Sequence, residues 1–240
     1  MDTRFVMNFD FRNKSDDIQL SEIIEHFIFI ISAIDIFTQT KKTWYETGYS
    51  RKNALSQVAF QCGSITDNTY IKWEHRYKKS KPLFVESIWD ANDDNHSYGI
   101  SYRKMFYDET NRASVEISLV PGTSENILTH FITLISKLSS YFNCSYMSVD
   151  SKGYSVLGRS VFPDRLAVGW MLYIPHVVLP ELIHEAARIV PVVDGEKQKG
   201  TIVVSTEDIF EGSNKEHVGK ANDIEIRLLD LGLLPLMTEI

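Results

Sequence analysis

The stretch LFVESIW (83–89) decides the fold class, together with the two runs that follow it, YGISYRKMFY (98–107) and ASVEISLV (113–120). Each run is short and rich in β-branched and aromatic residues, and loops heavy in Asp and Asn separate them. This pattern is typical of strands, and the short connections favour antiparallel pairing of neighbours. The centre of the chain is therefore predicted to be a β-meander.

Helices and further strands are predicted on both sides of this centre. On the N-terminal side, the alternation of residues 3–11 predicts a half-buried strand. Three helices are predicted after it: one that begins at Ser21 and reaches about Thr40, one that is capped by Ser50 and runs through Val58, and one over residues 67–80. On the C-terminal side we expect a helix over 124–142, a strand buried on both faces at 168–175, a helix at 180–188, a strand at 201–205 and a closing helix from Asn214.

This order of elements predicts an α+β class, with mainly antiparallel sheet and packed helices. We assign residues 1–240 to a single domain, within which two similar βα-containing lobes, 1–110 and 111–240, are compatible with the pattern. Two cysteines, Cys62 and Cys144, form no disulfide framework and suit a reducing compartment. The N-terminus lacks a signal-peptide layout, and the apolar run 23–37 is too short and too charged to cross a bilayer, so a cytoplasmic location is expected.

The segment PELIHEAARIV (180–190) carries four-fifths of the zinc motif H-E-x-x-H. The second metal ligand would have to stand where Arg188 stands, and a guanidinium cannot donate a lone pair to a metal. The other histidines are scattered without metal-ligand spacing, and GEKQKGT (195–201) lacks the order of a phosphate loop. We therefore expect no metal, no cofactor and no catalytic residue, although a hydrolase using His184, Glu185 or the carboxylates at 90–94 stays open as the alternative.

Acidic clusters are the remaining candidate feature. WDANDDN contains Asp90, Asp93 and Asp94, YDE contains Asp108 and Glu109, and TEDIFEG contains Glu207 and Asp208. They are either solvated loops or a face that recognises a cationic partner, with exposed aromatics such as Trp89 or Phe210 as anchors. The net charge of −7 disfavours direct binding of nucleic acid, although YIKWEHRYKKSK (70–81) has a suitable composition.

Several blocks resemble bacterial immunity protein family 52. They are WYETGYSRKNAL (44–55), SIWDANDDNHSYGISY (87–102), VFPDRLAVGWMLYIP (161–175), VPVVDGEKQKGTIVVSTEDIF (190–210) and ANDIEIRLLDLGLLP (221–235). Their order and spacing agree over nearly the whole chain, and the similarity is weakest at 56–85 and around 105–160. Membership would imply an α+β binding module, not an enzyme: the cognate antitoxin of a polymorphic or type VI secretion toxin with a restriction-endonuclease-like nuclease domain.

The resemblance implies no membrane and no nucleic-acid partner, and it points to occlusion of a basic nuclease cleft by an acidic, aromatic surface. The candidate toxin-binding residues are Trp44, Tyr45, Trp89, Asp90, Asp93, Asp94, Asp108, Glu109, Glu207 and Asp208.

Overall fold

The computed structural model describes residues 3–12, 18–79, 81–93, 96–106, 112–120, 126–151, 153–154 and 157–240. It confirms the α+β class with antiparallel strand pairing. The strands are β1 (Phe5–Arg12), β2 (Trp44–Glu46), β3 (Val58–Gln61), β4 (Ser64–Ile65), β5 (Leu83–Trp89), β6 (Gly99–Met105), β7 (Arg112–Leu119), β8 (Tyr146–Ser151), β9 (Met171–Ile174), β10 (Arg188–Asp194) and β11 (Lys197–Val204). The α-helices are α1 (Leu20–Thr38), α2 (Arg51–Leu55), α3 (Asp67–Lys79), α4 (Ile127–Phe142) and α5 (Lys215–Asp230).

The chain divides into two compact units. Unit 1 comprises Met1–Asp10 and Pro121–Ile240, and unit 2 comprises Phe11–Val120. The predicted lobes divide the chain between residues 110 and 111, whereas the units divide at Val120 and Pro121. The first ten residues belong with the C-terminal part because β1 pairs with β8, from Phe5 opposite Ser151 to Asp10 opposite Tyr146.

Unit 1 contains strands in the order β10-β11-β9-β8-β1. Helix α4 packs on one face, where Phe131 lies 5.1 Å from Phe5, ring centre to ring centre, and Phe142 lies 5.1 Å from Phe9. Ile224 and Leu228 of α5 join the opposite face in a cluster with Leu172, Ile174 and Val203. Two covered faces explain why β9 is buried at every position, as its continuous apolar run predicts.

Unit 2 contains strands in the order β7-β6-β5-β2-β3-β4. Helices α1 and α3 contribute Phe27 and Trp73 to its core, with ring centres 4.9 Å apart, and Phe60 of β3 lies 5.7 Å from both. Burial alternates along β5, β6 and β7, so that one face of these strands is buried and the other is not. This is the pattern of an antiparallel sheet with one wet face.

Three predicted elements differ from the structure. The predicted helix at 180–188 is wrong: a 3-10 turn covers only Pro180–Leu182, and Arg188 already begins β10. Pairing of the β-branched run after Arg188 with β11 outcompetes a short helix. The helix capped by Ser50 ends at Leu55, because Val58 enters β3, and α1 begins one residue before Ser21.

The apolar run 23–37 lies within α1, with buried positions distributed along the helix. Within the described part of the chain, no helix combines the length and the apolar character that a membrane span requires.

Candidate interaction surfaces

Unit 2 presents a partly exposed sheet face, which we call the open face. By the strand register it comprises Tyr45, Leu83, Val85, Ser87, Trp89, Gly99, Ser101, Arg103, Met105, Ser114, Glu116 and Ser118. None of these residues is buried, and Leu83, Val85 and Met105 are each more than two-fifths exposed. The face is therefore an available docking surface that combines apolar, hydroxyl and aromatic side chains.

Polar side chains on the open face form hydrogen bonds and ion pairs with one another. The Ser87 hydroxyl donates to the Ser101 hydroxyl over 2.9 Å, and the Arg103 guanidinium lies 3.9 Å from the Glu116 carboxylate. Apolar Leu83 pairs with Met105 at one end of the strands, while Tyr45 pairs with Trp89 near the other. Apolar and aromatic ends around a polar centre are features of surfaces that bind other proteins.

Arg51 organises the Trp89 end of the open face. Its guanidinium lies over the Trp89 ring at 5.4 Å and donates to the backbone carbonyls of Ala91 (2.8 Å) and Asn92 (3.0 Å). Ala91 itself has a positive φ of 63°, an unusual conformation for a non-glycine residue. These contacts fix the backbone at Ala91 and Asn92 without the help of a partner.

Asp90 is a structural residue of this loop. Its carboxylate is 1% exposed, accepts the Tyr98 N–H at 2.9 Å and pairs with the Lys42 ammonium at 2.8 Å. Burial, reinforced by the charge of Asp90, raises the pKa of Tyr98 to about 12. The predicted contact role of Asp90 therefore does not fit this fold, because its charge is fully used in holding β5, β6 and Lys42 together.

The other predicted contact residues fall in different places. Trp44 is fully buried in the unit 2 core, so its side chain cannot touch a partner in this fold, and Phe210 is likewise fully buried in unit 1. Asp93 is exposed and bonds His96 Nδ1 at 2.7 Å. Glu207 and Asp208 lie on the surface of unit 1, where Glu207 pairs with Arg188 at 2.5 Å. Asp94, Asp108 and Glu109 lie outside the described residues.

The acidic balance belongs to unit 1 and not to the loop after Trp89. Seventeen acidic and eleven basic side chains give unit 1 a formal charge of −6, whereas fifteen and fourteen give unit 2 a charge of −1. The sequence by itself shows only the formal net charge of the whole chain, which is −7. Steering of a cationic partner should therefore originate from unit 1.

Unit 2 uses its carboxylates internally. Buried Glu46 pairs with Arg76 (2.6 Å) and Lys72 (2.8 Å), and buried Glu86 pairs with Arg76 (2.6 Å). Burial opposes ionisation of Glu46, but the hydrogen bonds from Lys72 and Arg76 outweigh it and lower its pKa. Burial raises the pKa of Glu86 to about 7, with Arg76 opposing and the charge of Glu46 adding to the rise. This cluster ties α3 to the buried face of the sheet.

Tyr49 is a candidate contact residue that the sequence interpretation missed. Its side chain is fully exposed, just before α2. The turn that carries it needs Gly48, since a Cβ there would lie 2.6 Å from Asn53 Oδ1 and 2.9 Å from the Ala54 nitrogen. An aromatic residue within the polar stretch ETGYSRK (46–52) was the available signal.

The residues of the hydrolase alternative that the structure describes are exposed or paired with residues of their own unit. The His184 side chain is exposed, Glu185 bonds Arg227 at 2.9 Å, and Asp90 is bound to Lys42. Among the residues that the structure describes, no group of three or more His, Cys, Asp or Glu side chains is placed to hold a metal ion.

Comparison with known proteins shows a likeness at the level of the fold. A search of solved structures finds the Pseudomonas aeruginosa T6SS protein PA0821, with a TM-score of 0.57, 9% sequence identity and coverage of 95% of this chain and 76% of that chain. A Trypanosoma brucei AdoMetDC-delta26 monomer covers 84% of this chain and 63% of its own at 7% identity, but its TM-score of 0.18 indicates no common fold. No family model and no curated protein matches, so the resemblance to immunity protein family 52 stays a prediction.

Proposed function

We propose that this chain is an immunity protein that binds and neutralises a cognate nuclease toxin, and that it catalyses no reaction itself. The observation that carries the proposal is the open face of unit 2. A sheet face whose residues all remain unburied, with Trp89 and Tyr45 side by side and a loop clamped by Arg51, has the make-up of a protein-binding surface.

Two further observations support the toxin as the partner. Five sequence blocks resemble immunity protein family 52, whose members are antitoxins of secreted toxins. The fold is also similar to that of a Pseudomonas aeruginosa T6SS protein, which is compatible with a role beside a type VI secretion system. The cytoplasm, where a delivered nuclease would reach DNA, is the proposed place of action.

Charge complementarity suggests how inhibition works. A DNA-cleaving enzyme needs a basic cleft to bind phosphates. Unit 1, at −6, would be attracted to such a cleft and speed the encounter, while apolar contacts at the open face would slow dissociation. A complex of this kind needs an interface of roughly 1,600 Å². In the proposed mechanism the bound protein excludes DNA from the toxin's active site.

A DNA-cleavage assay tests this function. The nuclease encoded beside this chain is purified and its cleavage of plasmid DNA is followed while this protein is added. We expect cleavage to stop near a one-to-one ratio. A non-cognate DNase with the same metal requirement serves as the control and should stay active, which excludes sequestration of DNA or metal. Undiminished cleavage by the neighbouring nuclease in the presence of excess protein would sink the proposal.

The occlusion step has its own test. If this protein covers the DNA-binding cleft, an uncleavable DNA analogue bound to the nuclease should compete with it and raise its apparent Kd in proportion to the DNA concentration. Inhibition that is indifferent to bound DNA would instead assign a remote mode of action.

A further inference from the structure

The loop between β9 and β10 presents three apolar side chains to solvent. Val177, Leu179 and Leu182, which we call the ridge, are 61%, 58% and 44% exposed. Leu179 is extended (φ −82°, ψ 144°), and the 3-10 turn Pro180–Leu182 follows it. The Leu182 N–H donates to the Leu179 carbonyl at 3.0 Å, so the two exposed leucines lie at the two ends of one turn. Exposure alternates from Val177 through buried Val178 to Leu179, as in an extended segment.

The ridge is held in place from below. Val178 and Ile183 are buried in the apolar cluster that includes Leu234 and Ile240. The buried Thr201 hydroxyl donates to the His176 carbonyl (2.7 Å) and accepts the Val178 N–H (3.0 Å). The exposed leucines therefore stand on an anchored backbone, so a partner would pay little ordering entropy to contact them.

The segment that carries the ridge contains more acidic than basic residues. Residues 174–187 contain Glu181 and Glu185 but no lysine or arginine. Arg227 compensates Glu185 at 2.9 Å, while Glu181 is exposed and has no ion pair among the described residues. The same holds elsewhere on unit 1 for exposed Asp164, Glu196, Asp208, Glu211, Asp223, Asp230 and Glu239 within the described ranges. Unit 1 therefore has more exposed acidic side chains than its basic side chains can pair with.

We infer that the ridge is the part of unit 1 that docks on the toxin, and that it fits a cationic protein surface with an apolar groove. This inference rests on the proposed function. The support for this inference is the combination of a preformed apolar projection with negatively charged side chains on the same unit. In the complex, the leucines would fill a groove beside the basic, phosphate-binding residues of the toxin, and Glu181 would pair with one of those basic residues. The open face of unit 2, nearly neutral, lacks the charge for this role.

The test measures binding of the full-length chain to the neighbouring nuclease by surface plasmon resonance. Leu179→Ala with Leu182→Ala should raise the Kd about thirtyfold, mainly through faster dissociation. The matched control, Val193→Ala with Ile226→Ala, removes two aliphatic side chains of unit 1 with 60% and 44% exposure away from the ridge and should leave the Kd within about twofold. Thermal unfolding of both variants checks that the fold is retained.

Two charge-reversal variants test whether Glu181 takes part in binding. Glu181→Lys should slow association about threefold at low salt and flatten its salt dependence, whereas Glu196→Lys, which changes the charge of unit 1 equally but at the β10–β11 turn, should have a smaller effect. If ridge variants behave like their controls while the wild type binds and inhibits, the ridge inference is overturned and the proposed function stands. If the wild type neither binds nor inhibits, both fail. Self-association in sedimentation velocity that the double leucine variant abolishes would assign the ridge to a second copy and also overturn the inference.

Discussion

The two units treat ionisable side chains in opposite ways. Unit 2 buries Glu46, Glu86 and Asp90 and pairs them with Arg76, Lys72 and Lys42, and its acidic and basic side chains nearly balance. Unit 1 buries Glu225 without an ion pair among the described residues, using the N–H groups of Val161 (2.7 Å) and Val168 (3.0 Å) and the Tyr154 hydroxyl (2.8 Å). Asp10 and Asp150 are buried as well, whereas most of the other acids described in unit 1 are exposed.

In each unit, the groups that hold the fold together are different from the groups that it would offer to a partner. In unit 2, charge pairs within the fold attach α3 to the sheet and leave an apolar, aromatic open face for contact. In unit 1, apolar layers on both faces of the sheet hold the fold together, and the exposed acidic residues produce a negative electrostatic potential at the surface. Binding through unit 2 should depend on buried apolar area, and the electrostatic attraction exerted by unit 1 should depend on ionic strength.

The largest expected effect concerns the internal ion cluster. Arg76→Met removes the cation shared by Glu46 and Glu86 and leaves Glu86 buried without one, which should lower the free energy of unfolding by about 2–4 kcal/mol. Urea denaturation measures it. Arg188→Met in unit 1 breaks a surface pair with Glu207 and should leave the unfolding midpoint unchanged. Equal destabilisation by the two substitutions would break the contrast between the units.

A second prediction separates the contact surfaces. Trp89→Ala should raise the Kd for the nuclease at least about tenfold without changing the salt dependence of binding, because the lost contact is mainly apolar. Tyr70→Ala, an exposed aromatic of α3 in the same unit but outside the open face, is the matched control and should bind normally. A changed salt slope for Trp89→Ala would show that this surface also works electrostatically.

The smallest expected effect is a pH dependence in unit 2. Burial lowers the pKa of His26 from 6.5 to about 4, although the nearby Glu22 charge opposes this, and its Nδ1 lies 3.0 Å from the Tyr102 hydroxyl. At His26 the unfolded chain takes up a proton below pH 6.5 that the folded chain refuses until about pH 4, so the contribution of His26 to stability falls as the pH falls across this range. Between pH 7 and pH 5 this contribution should fall by about 1 kcal/mol after solvent screening, while the raised pKa of Glu86 contributes with the opposite sign.

The variant His26→Gln keeps a polar group for Tyr102 but does not titrate, so this part of the acid sensitivity should disappear in urea denaturation at the two pH values. An unchanged difference in unfolding free energy between pH 7 and pH 5 would contradict the assignment to His26.

Most long elements could be predicted, because their periodicity reflects how each face meets water. The run 83–89 matches β5 at both ends, and alternation over 3–11 predicts β1. Short strands such as β3 and β4 were missed, since two to four residues carry too little pattern. Strand β10, which forms a hairpin with β11, was missed as well, and its first residue, Arg188, was assigned to the end of a helix. Among the candidate contacts, Tyr45 and Trp89 share the open face, whereas Trp44, one residue away, is core.

By itself the sequence determined the α+β class, the antiparallel centre, the acidic total and the absence of a complete zinc motif, because these follow from local periodicity, composition and ligand chemistry. Only the tertiary structure decided which acids are internal, which aromatics reach solvent and that the negative charge belongs to unit 1. Burial and pairing depend on residues far apart in the chain, as with Asp90 and Lys42 or Glu46 and Arg76, and no local pattern encodes those meetings.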